Sequence, residues 1–262
     1  MTEKAKKEIK ALIVGAIKAK ILKYSPETAY KPFIKAILEE KDIVIASFCH
    51  SVYTTMGMSV YEQIGKIIAD DAGSYTQKGY ILKGEIDRRT ADKITKIWET
   101  AKVTGVVNKS KELEVIRKSI VHSNRKLRLP ESVVDLFVRN KNGFEAYFDI
   151  TTVKPNKKEF EALKRKLLLW AALRFSTDNQ VKLGTYLAIP YNPYYPNPYV
   201  RWNKSSLDPN EDIKVQEDFW NFLGNSDKTY AELITIFEEI GKELRKLVSK
   251  FIKKRLTSRK LV

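Results

Sequence analysis

Thiols and imidazoles are scarce in this chain: one cysteine, Cys49, and two histidines, His50 and His122, stand among 262 residues. One thiol excludes an internal disulfide framework and any CxxC zinc site, and it suits a reducing compartment such as the cytoplasm. Histidine-based catalysis is equally short of material. No apolar run reaches the ~18 residues that a membrane-spanning helix requires. The opening MTEKAKKEIKALIVGAIKAKIL alternates lysine with apolar residues at helical spacing and does not resemble a signal peptide, so a soluble, unprocessed protein is expected. Repeats, low-complexity tracts and obvious linkers are also missing. A single domain over 1–262 is the economical reading, with a helical elaboration over 1–57, a core over 58–190, and a loop with C-terminal helices over 191–262.

What the chain has in excess is positive charge: 48 Lys and Arg against 32 Asp and Glu, a formal net charge of +16. Such an excess costs self-repulsion and is most simply explained by a polyanionic partner, nucleic acid before a membrane surface. A hydrophobic content of 43% with 11% aromatics is that of an ordinary folded protein and argues against disorder.

Periodicity supplies the elements. Ile and Leu at helical intervals over 3–23 and the segment SPETAYKPFIKAILEE, with Ser25 as cap and Pro26 at the first helical position, predict two amphipathic helices. KDIVIASFCHSVYTTMG is apolar nearly all round, which predicts a buried helix closed by Gly57 with His50 as a core histidine. SVYEQIGKIIADDAG reads as a helix capped by Ser59, with Glu62 completing a capping box. Residues 75–86 suggest a hairpin around Lys78 and Gly79, and helices capped by Asp87 and Ser110 follow, the second opening on Glu112 and Glu114 as solvated or dipole-complementing residues.

The clearest signal is SVVDLFVR, the turn NKNG, then FEAYFDITTV: two β-rich runs joined by an Asn-Gly turn. On the second run Glu145, Tyr147, Asp149 and Thr151 share what reads as the polar face. Pro155 and Asn156 end it and start the helix KKEFEALKRKLLLWAALR. VKLGTYLAIP predicts another strand, YNPYYPNPYVRW a rigid loop, and two further helices close the chain. Strand, strand, helix, strand with flanking helices is an α/β sandwich arrangement.

Asp135 interrupts an apolar strand, where a carboxylate is costly unless it meets a cation or a donor. The four-residue turn sets it across from roughly 148–151, so Asp135 and Asp149 approach within reach of one hard cation. Mg²⁺ suits that pair, because it takes oxygen ligands, keeps waters and accepts a phosphate oxygen. The alternative is a pair of strand-end aspartates matched to lysines.

An aspartate, a spacer of about a dozen residues, then Asp-x-x on the next strand resembles the PD-(D/E)xK nuclease signature. The phrases KPFIKAILEEKDIVIASFCHSVYTTMGMSVYEQIGKIIA, DITTVKPNKKEFEALKRKLLLWAALR, AIPYNPYYPNPY and FWNFLGNSDKTYAELITIFEEIGKEL are, in that order, similar to the TdeIII-like type II restriction endonucleases over roughly residues 30–245. The resemblance implies a nuclease core with a central mixed β-sheet flanked by helices and a helical N-terminal elaboration. It implies Mg²⁺-dependent cleavage of double-stranded DNA at a short sequence of the GGNCC type, by a homodimer paired with a cognate DNA methyltransferase. Asp135 and Asp149 take the two strand-carboxylate positions, and Glu62 is implied as a further acidic residue. The departure is Thr151, where the motif has lysine. Three explanations stay open: Lys154 reaches in although strand parity points it away, threonine is tolerated, or the substitution inactivates the enzyme.

For DNA contact the richest stretch is SNRKLRLP with Arg125, Lys126 and Arg128, followed by Lys157 and Lys158 at the start of the basic helix. Asn192, Asn197, Arg201 and four tyrosines on the proline-rich loop are suited to groove contacts or stacking. Each could instead be a solvated basic turn or loop packing. The nine Lys and Arg from Lys242 to Lys260 read as non-specific phosphate attraction or a solvated helix face. A non-cleaving DNA-binding protein with a nuclease fold is the alternative to an endonuclease, and an RNA-binding protein using the tyrosine loop comes third.

Overall fold

A computed structural model describes residues 1–24, 32–120, 126–128, 132–151, 154–200 and 206–258. Ser25, Pro26, His122, Arg125 and Arg201 lie outside these. The chain divides into two compact units, Met1–Ile67 with Tyr230–Val262, and Ile68–Thr229.

The first unit is helical. Helix α1 (Glu3–Lys23) is capped by Thr2, whose hydroxyl accepts from the Ala5 amide, and buries Ile9, Ile13 and Ile17, one residue per turn. Its lysines form rungs with the long last helix, Lys10 to Glu239 and Lys18 to Glu243 at 3.3 Å, while the N-terminal ammonium meets Glu232 at 2.6 Å. Tyr24, Phe48 and Phe251 close the other end as an aromatic cluster.

A short helix α2 (Pro32–Lys35) precedes α3 (Glu40–Thr55). Helix α3 continues without a break through a π-helical turn, Met56–Val60, into α4 (Tyr61–Asp71). Three expectations change here. Gly57 does not end the helix, and Ser59 sits inside it, so there is no N-terminus at Ser59 for a capping box with Glu62. Nor is α3 buried all round: only Val44 and Phe48 are buried, while Ile45, Cys49, His50 and Tyr53 are exposed.

The second unit is an α/β sandwich. Its main sheet comprises β1 (Tyr75–Leu82), β4 (Ser132–Arg139), β5 (Glu145–Ile150), β6 (Leu183–Ile189) and β7 (Ile213–Val215), in the order β1-β4-β5-β6-β7. The pairs β1/β4 and β4/β5 are antiparallel, β5/β6 and β6/β7 parallel. A small antiparallel ribbon joins β2 (Glu85–Asp87) to β3 (Lys126–Arg128). Residues 75–82 are one continuous strand, not a hairpin. Gly79 instead provides a local kink at φ 57°, a left-handed conformation that glycine adopts without steric cost.

Helix α5 (Arg88–Thr104) is capped by Asp87 as expected; α6 (Lys109–Ser119) is capped by Asn108, two residues earlier than Ser110, which binds Glu211. The NKNG hairpin forms, with Gly143 at φ 78° and the Asn140 side chain accepting from the Asn142 and Phe144 amides. The crossover helix α7 (Lys157–Thr177) opens on an Asn156–Glu159 capping box and covers one sheet face with Phe160, Leu167, Trp170 and Ala171. Phe219 and Phe222 of α8 (Glu217–Gly224) cover the other face at Phe148 and Tyr186. Strand β5 is therefore buried at all six residues, and its Glu145, Tyr147, Asp149 side lies beneath α7 and does not face solvent. Helix α9 (Thr229–Ser258) completes the chain.

Candidate active site

The hairpin register pairs Leu136 with Phe148 and Phe137 with Tyr147, so Asp135 and Asp149 come next across the ladder, on the same face as Phe137 and Tyr147. Regular pairing lapses there on both sides of Asp135. Toward β1, Gly79 kinks between the Lys78–Leu136 and Tyr80–Val134 pairs. Toward β5, the carboxylate takes over the ladder's work: Asp135 Oδ2 accepts the Ile150 amide at 2.7 Å. A side-chain acceptor thus satisfies a backbone donor that β4 no longer reaches. On the other side β5 stays paired, with Ile150 opposite Ala188 and the Thr151 amide donating to Ala188 at 3.1 Å.

Asp149 is 7% exposed at the carboxyl end of β5. Its Oδ2 is bound by Lys166, a residue of α7 that sequence reading passed over. The pair is asymmetric toward solvent: the lysine side chain is 36% exposed and the aspartate 10%. Lys166 also lies 5.0 Å from the centre of the Trp170 ring. Lys154, one of the three explanations left open for the missing motif lysine, has its ammonium over Tyr194 of the proline-rich loop, 5.7 Å from the ring centre.

A regular pattern puts Lys166 there. Lys166, Trp170 and Arg174 recur every four residues along one side of α7. Arg174 clamps Glu145 through Nε at 2.7 Å and Nη2 at 3.1 Å, Trp170 Nε1 donates to Ser132 at 2.6 Å, and Lys166 meets Asp149. Eight helical residues rise about 12 Å, and the four strand residues from Glu145 to Asp149 span about 13 Å. The two repeats match, so a cation at each end of the stripe meets a carboxylate at each end of β5. A sequence signal for this existed: acids four apart on one strand face and bases eight apart on the next helix.

Electrostatics at the Arg174 end are strong. Burial pushes the Glu145 carboxyl up, but hydrogen bonds from Arg174 and Tyr147 and the guanidinium charge outweigh it and hold the group below the usual carboxylate range. Burial, then the hydrogen bond to Glu145, drives the Tyr147 phenol well above its ordinary value.

Two carboxylates on neighbouring strands, Asp135 half-buried and Asp149 buried, are a fitting donor set for a hard divalent ion that keeps most of its waters. Among the described residues no group of three or more His, Cys, Asp or Glu is placed to hold a metal. Glu62 occupies the first turn of α4, just past the π-helical turn. Such turns inside helices frequently occur at functional sites.

The remaining expected contacts divide. Lys157 pairs loosely with Glu161 at 4.0 Å and Lys158 is exposed, both in the first turn of α7. Lys126 and Arg128 belong to β3, opposite Asp87 and Glu85. Asn192 is spent on its own loop, donating to Asn197 O and accepting from the Tyr194 amide, whereas Asn197 is exposed. Glu112, expected as a solvated or dipole-complementing residue, lies in the first turn of α6 but is buried against Lys164 at 2.5 Å. Among the described residues no helix is long and apolar enough to cross a membrane.

Comparison with known proteins decides the family. Residues 1–241 match the family described as HinfI type II restriction endonucleases. The chain belongs to that family. It is 25% identical over 221 residues to the type II restriction enzyme HgiCII of Herpetosiphon aurantiacus, covering 80% of this chain and 77% of that enzyme. To HgiEI of the same organism it is 24% identical over 218 residues, with the same coverage of both. To MjaII of Methanocaldococcus jannaschii it is 23% identical over 213 residues, 77% of this chain and 56% of MjaII. The HinfI family and these relatives are type II restriction enzymes, site-specific deoxyribonucleases, and the mixed sheet with its crossover helix is the matching nuclease-like fold.

Proposed function

We propose that this chain makes Mg²⁺-dependent double-strand cuts in DNA at a short specific sequence of the GGNCC type. The observation that carries the reading is the juxtaposition of Asp135 and Asp149 across β4 and β5, on one face, where regular strand pairing lapses. A divalent ion held between them would bind the scissile phosphate, favour ionisation of an attacking water and neutralise charge on the leaving oxygen. Asp135 is oriented by the Ile150 amide and Asp149 by Lys166, so both carboxylates are set before DNA arrives. The net charge of +16, including Lys157 and Lys158 at the head of α7, supplies attraction to phosphates.

The recognition site is taken to be twofold symmetric and the protein a homodimer, which brings one catalytic site to each strand. Exposed Phe33, Ile34, Ile37 and Leu38 in and after α2 offer an apolar surface for self-association. A cell holding such an enzyme needs a DNA methyltransferase that protects the same sequence, and the activity belongs in the cytoplasm with the genome. Thr151 favours a second reading, in which the chain binds its site but cleaves poorly or not at all.

Incubation with mixed-sequence plasmid and Mg²⁺ separates the readings. Discrete fragments support the endonuclease, retarded but intact DNA supports the non-cleaving protein, and preference for single-stranded RNA overturns both. A monomer on its target duplex overturns the dimer.

A further inference from the structure

The family motif calls for a strand lysine two residues after the second carboxylate, and this chain has Thr151 there. We infer that the cation of the cleavage site is supplied instead by Lys166, from the helix that crosses above the strand. The inference rests on the reading of Asp135 and Asp149 as the metal-binding pair.

Three observations converge on Lys166. It is the cation that Asp149 meets among the described residues. It is held in register by the rest of its stripe, because the two-pronged Arg174–Glu145 clamp eight residues on fixes the axial position of α7 over β5. And it is accessible. Lys164, two residues earlier and turned about 200° around the helix, is completely buried between Glu112 and Asp212. Lys166 keeps about a third of its side chain in solvent, so a phosphate can reach it.

A threonine hydroxyl at 151 carries no charge, whereas an ammonium beside Asp149 stabilises negative charge as it develops. As the water oxygen bonds to phosphorus, its proton passes to solvent. One P–O ester bond then breaks, and the leaving oxygen takes a proton from solvent. From beside Asp149, Lys166 would stabilise the negative charge that develops on the attacking oxygen and on the phosphate oxygens in the transition state. Before DNA and metal bind, the same ammonium neutralises buried Asp149.

The test compares the parent protein with Lys166→Met, Thr151→Lys, the double variant and Asp149→Asn. Each is assayed for single-turnover cleavage with Mg²⁺ and for duplex binding with Ca²⁺. Lys166→Met is expected to slow cleavage about a hundredfold or more, with duplex affinity changed less than about fivefold. Adding Thr151→Lys to it should restore at least about tenfold, since a merely structural lysine on α7 would not be replaced from the strand.

A second readout needs no turnover. Lys166→Met should lower the melting temperature in the absence of metal and enlarge the upward shift that Ca²⁺ alone produces, because the ion then takes over the neutralisation of Asp149. Lys166→Gln replaces the methionine variant if that protein is unstable. Cleavage by Lys166→Met at close to the parent rate, with Asp149→Asn inactive, overturns the role of Lys166 and leaves the carboxylate site standing. Cleavage by both variants overturns the carboxylate site itself. A parent that is inert until Thr151→Lys is introduced also overturns the inference.

Discussion

The Asp135 carboxylate accepts the backbone amide of Ile150, the residue next to Asp149, at 2.7 Å. One hydrogen bond therefore ties the first carboxylate of the site to the strand that carries the second. It also explains how an aspartate survives in a strand between Val133, Val134, Leu136 and Phe137.

Replacements at Asp135 should separate chemistry from folding. Asp135→Asn keeps an acceptor for the Ile150 amide but loses the charge, so cleavage should fall about a hundredfold or more while the melting temperature changes little. Asp135→Ala removes both, and should cost a further ~1 to 2 kcal/mol of stability by leaving a backbone donor unmatched. Equal melting temperatures for the two variants would refute the structural half.

Arg174 anchors the stripe that places Lys166. Arg174→Ala leaves buried Glu145 without its guanidinium and with the Tyr147 hydroxyl as a neutral donor, and denaturant titration should show a loss of about 3 kcal/mol. The wild-type pair also has a defined pH signature. Because the folded-state Glu145 carboxyl lies below the ordinary carboxylate value, its contribution is fully present above that value and is lost as pH falls through the folded one. Stability measured from neutral pH downward should fall less steeply in Arg174→Ala over that acidic window. An unchanged slope would mean that the clamp contributes nothing.

A second ionic cluster ties α6, α7 and the approach to β7 together. Asp212 binds Lys109 at 2.5 Å and Lys164 at 2.7 Å, and Lys109 also donates to Thr185 at 2.8 Å, all buried. Burial pushes the Lys109 ammonium below its usual value, partly offset by Asp212. Asp212→Asn would leave two buried lysines facing Glu112 alone, and should destabilise the second unit by roughly 3 to 5 kcal/mol. Since the folded-state Lys109 value is lowered, the unfolded chain binds more protons between it and the ordinary lysine value, so that lysine favours stability as pH rises through this window. A loss under 1 kcal/mol would show that the cluster is replaceable.

If phosphate neutralisation supplies most of the affinity, log affinity for the target duplex should fall linearly with log salt, at about 0.9 per contacted phosphate. Lys158→Ala should reduce that slope by close to one contact if the head of α7 lies on the backbone. A flat response would remove the electrostatic basis for DNA binding.

Much of the candidate site was legible in one dimension because it is local. The Asn-Gly turn and the two-residue period of a strand are enough to bring Asp135 opposite Asp149, and both depend on contacts fewer than twenty residues apart. The Asn156 cap and the long apolar period of α7 are local in the same way. The face of β5 was misjudged for the opposite reason. Alternation identifies two faces of a strand, but only the crossover of α7 onto one and the seating of α8 on the other make both of them buried.

Lys166 shows the same limit most sharply. In KKEFEALKRKLLLWAALR the residues Lys164, Arg165 and Lys166 are equivalent basic letters on a helix that is apolar around most of its circumference. Sequence determined that this helix would form, that it would be basic near its start, and that two carboxylates would precede it. The rotation of α7 about its axis and its position along β5 are set by distant partners: Glu145 with Arg174, Ser132 with Trp170, and Glu112 and Asp212 with Lys164. Those partners lie up to 52 residues away in the chain, and only their meeting in three dimensions buries one lysine and brings the other to Asp149.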